Sequence, residues 1–148
     1  MRRMRECARD EGGSTLILAI FYGMLSLLLI LVVAAATSLY LERKRLYSLA
    51  DAAALVGAEA FELSSVSLDG GEPALTLRSP EVRDAVTGFL EDNPVGTFDR
   101  LTLEHAASLD GKSATVTVSA AWQPPVLTLF VPDGIRLEVT AVARSVFR

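Results

Sequence analysis

The 148-residue chain is 51% hydrophobic and carries 14 basic and 18 acidic residues, for a net charge of −4 and a pI near 5.0. From Leu46 onward, 7 basic residues face 14 acidic ones, a net of −7. That balance excludes nucleic-acid binding, which needs a basic face, and close adhesion of this part to anionic lipid. Cys7 is the single cysteine, so no intrachain disulfide braces the fold.

Residues 1–13 read as a short polar, cytoplasmic tail. No charged residue occurs from Gly12 to Leu41. The run Thr15 to Tyr40, "TLILAIFYGMLSLLLILVVAAATSLY", would form a helix of roughly 39 Å at 1.5 Å per residue, longer than a hydrocarbon core of about 30 Å. A transmembrane helix over 14–40 is therefore expected. The 107 residues after Leu41 are too few to bury such a helix on all sides. The N-terminal flank holds four Arg and the C-terminal flank holds Arg43, Lys44 and Arg45, so the positive-inside count leans to N-terminus in, C-terminus out. A cleaved signal is the competing reading, with an A-x-A pattern ending at Ala36.

Residues 41–63 continue as a juxtamembrane helix. Leu46, Leu49, Ala50, Ala53, Ala54, Gly57 and Phe61 recur at helical spacing and form a shallow apolar stripe of small residues. The opposite face carries Arg45, Ser48, Asp51, Glu59 and Glu62. The stripe is the predicted helix-packing and assembly face, meeting either the chain's own sheet or neighbouring helices.

Residues 64–148 are expected to form a small extracytoplasmic α+β domain. Ser64 to Pro73 breaks the helix, and Ala74 to Arg78 alternates as a short strand. Ser79 to Asp92 is a second helix, with Ser79 as N-cap, Pro80 in the first turn and Asn93-Pro94 as its stop. Leu101, Leu103 and His105 lie on one face of the next strand, and Asp110-Gly111 makes a hairpin turn. Val116, Val118, Ala120 and Trp122 line one side of the following strand. Val126 to Phe130 is an edge strand or a helical turn. Ile135, Leu137, Val139, Ala141 and Ala143 then point inward from the last strand, and Arg136, Glu138, Thr140 and Arg144 point outward. The whole is an antiparallel sheet of three or four strands packed on the juxtamembrane helix and one short helix.

Residues able to carry chemistry are sparse. His105 is the lone histidine and reads as structural; no G-x-S-x-G elbow or phosphate-cradling loop occurs. His105 and Cys7 fall on opposite sides of the membrane helix and build no zinc site. The Asp-Gly pairs lack the ligand series of a calcium loop. Trp122 reads as packing, with a binding anchor as the alternative. The uncharged membrane segment provides no ion path. The expectation is a non-enzymatic protein with no cofactor and no metal. Gly23 and Ser26 would let another helix approach closely in lipid, with a plain lipid-facing helix that tolerates small residues as the equal alternative.

Three pieces of sequence carry a family resemblance: "RDEGGS" (Arg9 to Ser14), "LYLERKRL" (Leu39 to Leu46) and "ADAAALVGAEA" (Ala50 to Ala60). Residues 9–60 resemble the N-terminal segment of TadE/TadG-like proteins of tight-adherence (Flp) pilus systems, and a short TadG-related member in particular. The resemblance implies a minor pilin-like subunit or assembly factor in the bacterial inner membrane, with lipid and other pilus or secretion subunits as partners, as a homo- or hetero-oligomer. Gly13 and Ser14 are the candidate site for pilin-type processing, with cleavage at Ala36 or no cleavage as the alternatives. The pilin pattern sets a glutamate five residues after the cleaved glycine, and Leu18 stands there. The reading from a different class is a membrane-anchored envelope binding or sensor domain unrelated to pili.

Overall fold

The computed structural model describes residues 4–60, 66–69, 72–92, 98–124 and 134–144, with side chains described for 15–60, 76–92, 98–124 and 134–144. Among the described residues seven elements follow in order: α1 (Met4–Glu59), β1 (Val66–Asp69), β2 (Glu72–Leu75), α2 (Ser79–Asp92), β3 (Asp99–Ala107), β4 (Ser113–Trp122) and β5 (Ile135–Arg144). The chain divides into two compact units, Met1–Ser38 and Leu39–Arg148.

The first unit is the N-terminal part of α1. Its described large apolar side chains, from Leu16 to Val33, are exposed. The helix holds because no Pro interrupts it and its residues are mostly good helix formers. Thr37 turns its hydroxyl inward and donates to the Val33 carbonyl at 2.9 Å, which spares an apolar surrounding from an unpaired hydroxyl.

The second unit is α+β. β3, β4 and β5 form an antiparallel sheet in that order. β4 and β5 pair without interruption from Ser113↔Arg144 to Trp122↔Ile135. The dry face of β4, Ala114, Val116, Val118 and Ala120, is buried with Val139 and Ala141 of β5 against Leu46, Leu49, Ala50, Ala53, Ala54 and Ala58 of α1. Val82 and Val86 of α2 complete this core. Small residues on the helix and β-branched residues on the sheet let the two layers approach closely. The approach is tightest at Gly57, where an added Cβ would lie 3.1 Å from Val82 Cγ1, 3.1 Å from Val86 Cγ2 and 3.2 Å from Ala114 Cβ.

The β3–β4 connection forms as the Asp-Gly signal indicates. Gly111 takes a φ of 67°. Asp110 Oδ1 accepts from the Lys112 amide at 2.9 Å, the Ser113 amide at 2.7 Å and the Ser113 hydroxyl at 2.8 Å. The amide donors, with that hydroxyl, hold the exposed Asp110 carboxyl down to about 2. Gly134 opens β5 with a φ of 68°, and a Cβ there would meet the Trp122 carbonyl oxygen at 2.8 Å.

Several local expectations are corrected. Val66–Asp69 and Glu72–Leu75 pair as an antiparallel β1–β2 ribbon, with Asp69 opposite Glu72, where the sequence suggested a break and then a strand from Ala74 to Arg78. In a two-stranded ribbon both strands are edges, which is where Pro73 is tolerated. Ser79 does not act as the N-cap: its hydroxyl donates to the Ser108 carbonyl at 3.0 Å and accepts from the Ser108 amide at 3.2 Å. The Arg78 carbonyl takes the first helical bond instead, from the Val82 amide at 3.1 Å. His105 does not share a face with Leu101 and Leu103. The register shifts between Leu103 and His105, which sets His105 opposite Thr117, exposed on the other face. Val126 to Phe130 and Phe61 lie outside the described residues.

Candidate functional site

The candidate site is a surface, and α1 builds most of it. Along 15–33 the exposed side chains are Leu, Ile, Val, Phe, Tyr and Met, with small residues between them. The most apolar 18-residue window averages a hydropathy of 2.9 and is 0% buried. A soluble core helix of this hydropathy would have to be covered; one that is wholly exposed suits lipid. Phe21 and Tyr22 meet edge to face at 5.9 Å between ring centroids.

A polar collar follows. Tyr40 is exposed, as suits an interfacial aromatic ring. Arg45 pairs with Glu42 at 3.8 Å, and Arg43 lies 5.8 Å from the centroid of the Tyr47 ring. The collar therefore shields part of its own charge through i, i+3 and i, i+4 contacts.

Of the predicted packing residues, Leu46, Leu49, Ala50, Ala53 and Ala54 are buried in the core, and Gly57 is buried with them. The structure gathers these six onto one helical face and sets that face against the chain's own sheet. Tyr47, Asp51 and Leu55 occupy the opposite, exposed side of the same helix. Gly13 and Ser14 fall within the helical backbone of α1, 46 and 45 residues before its end at Glu59.

The wet face of the sheet carries a polar network that sequence patterning did not reveal. Glu104 is the extra residue at the second irregularity of β3. Its Oε1 accepts from the Ser119 hydroxyl at 2.6 Å and pairs with Arg136 Nη2 at 2.9 Å. Arg136 also reaches Glu138 at 3.6 Å. Thr117 and Thr140 share a hydrogen bond of 2.9 Å between opposite strands. The sequence signal for this network was only the outward alternation of β5. Among the described residues no group of three His, Cys, Asp or Glu side chains is placed to hold a metal.

An exposed apolar helix that continues into the core of an α+β unit defines the class: a small domain carried on a membrane-anchoring helix. Residues 12–60 match the Tad family model, "Putative Flp pilus-assembly TadE/G-like". The matched segment starts beside Gly13 and ends one residue past α1, so it covers both the apolar stretch and the packing face. No curated protein and no solved structure matches the chain. The match covers residues 12–60 and is a likeness to a Flp pilus-assembly-related membrane protein.

Proposed function

We propose that the chain is a single-pass, pilin-like membrane protein that serves a tight-adherence pilus as a minor subunit or assembly factor. The observation that carries this reading is the coincidence of the family match with α1, which is apolar and exposed along 15–33 and buries one face, from Leu46 to Ala58, in the core. In this reading 14–40 hold the subunit in the bacterial inner membrane, N-terminus in the cytoplasm, and 64–148 face outward. The face of Leu46, Leu49, Ala50, Ala53, Ala54 and Gly57 serves assembly by fixing the anchor to the sheet.

The partners are lipid and other pilus or secretion subunits, met through the acidic, exposed surface of the domain. The function is non-enzymatic, and His105→Gln is expected to leave it intact. Mass spectrometry of sheared filaments and of the membrane fraction tests the role. A filament subunit appears in the sheared material; an assembly factor stays in the membrane and co-purifies with other pilus proteins. Recovery in neither association returns the chain to the alternative, an envelope binding or sensor domain. A reporter fused after Arg148 is expected to be active outside the cytoplasm, and cytoplasmic activity overturns the orientation. The intact mass of the mature chain tests cleavage between Gly13 and Ser14.

A further inference from the structure

β3 is irregular twice in nine residues, between Asp99 and Thr102 and between Leu103 and His105. At the first irregularity Arg100 adopts a φ of 53°. This left-handed conformation disfavours any side chain beyond glycine, because Cβ crowds the following carbonyl. Arg100 is the sole described residue other than glycine with a positive φ. At the second irregularity Glu104 is turned outward. Both charged side chains line the same depression, of about 240 Å³, with Thr102, Ser119 and Arg136. Bulges re-aim side chains, and here two of them aim charge into one place.

The two charges differ in how they are held. Glu104 is fixed by Ser119 at 2.6 Å and Arg136 at 2.9 Å. Arg136 is shared with Glu138, so it has little attraction to spare. Arg100 makes no ion pair among the described residues. A guanidinium with no ion pair among the described residues, kept on strained backbone beside an ordered polar wall, is poorly explained by stability alone, since glycine would sit there without strain.

We propose that this depression is a recognition site for a carboxylate on an acidic peptide segment of a partner protein, with Arg100 as the binding group and Glu104 and Arg136 as its positioning wall. A guanidinium fork matches a carboxylate in two parallel hydrogen bonds, which selects it over a point anion. The proposal takes from the pilus reading that the partner is a protein. It is tested on the isolated chain, so its failure leaves the cellular reading untouched.

The experiment uses the full chain in detergent micelles, labelled for amide resonances and titrated with an acetylated, amidated alanine-serine peptide holding one Glu. Saturable shifts are expected at Arg100, Thr102, Ser119 and Arg136, and a tenfold or greater loss when that Glu is replaced by Gln. Arg100→Gly supplies the second readout: the urea midpoint rises while the peptide shifts vanish. Three outcomes overturn the proposal: equal shifts with the Gln peptide, equal shifts with inorganic phosphate, or a lowered midpoint in Arg100→Gly. The last would make Arg100 a structural residue.

Discussion

Leu46 and Leu55 lie on the same helix and differ in environment, Leu46 being 0% and Leu55 53% exposed. Truncating Leu46 to Ala removes three buried carbons, about 2.4 kcal/mol at ~0.8 kcal/mol each. The cavity left among well-packed neighbours raises the cost to about 3 kcal/mol, inside the usual range of about 2–5 kcal/mol. Leu55→Ala removes the same atoms from a half-wet site and should stay within about 0.5 kcal/mol of the parent. Trp122 is the single tryptophan and is buried in β4, so its emission reports the sheet and not the membrane segment. In urea, at a slope of about 1–3 kcal/mol per molar, Leu46→Ala should lower the midpoint by about 1–3 M. Leu55→Ala should hardly move it. Equal shifts for the two variants would refute the claim that this half of α1 is core of the domain.

Gly57→Leu should lower the same midpoint, because overpacking against Val82, Val86 and Ala114 costs about 1–3 kcal/mol, more than the ~1 kcal/mol of helix propensity it gains. Parent-like stability would show that the α1–α2–sheet junction is looser than 3.1 Å contacts allow. Asp110→Ala should destabilise the β3–β4 turn in a pH-dependent way. The folded carboxyl lies at about 2 against an ordinary 3.8, so its contribution is present above pH ~4 and is lost as pH falls through about 2. The difference between parent and variant in thermal unfolding should therefore be full at pH 6 and shrink toward pH 2; a constant difference would contradict the depressed carboxyl. Replacing His105 with Gln should leave piliation unchanged, since the ring is exposed on the wet face.

The anchor was legible because length and the absence of charge from Gly12 to Leu41 leave few alternatives. The stripe from Leu46 to Gly57 was legible for a related reason: a 3.6-residue period marks a buried face whatever covers it. β4 and β5 followed from alternation, and their paired register keeps that alternation intact. β3 defeats the same rule because one extra residue at Glu104 reverses the phase, which carries His105 to the wet face and Ala106 to the core. A period of two contains no warning of a bulge. The β1–β2 ribbon was hidden by its own turn signals, since Asp, Gly and Pro punctuate a chain without saying whether pairing resumes. Ser79 has cap chemistry, but the Ser108 backbone lies within reach and takes its hydroxyl, a contact 29 residues away that local sequence does not encode. The wet-face network of Glu104, Ser119 and Arg136 is likewise a product of tertiary placement.

The most direct test of the functional account is an in-frame deletion of this gene, with surface pili counted by electron microscopy and with the full chain restored in trans. The account predicts loss or severe reduction of pili on deletion, recovery with the parent chain and no recovery with a chain lacking 14–40. Normal pili and normal secretion in the deletion strain would contradict it.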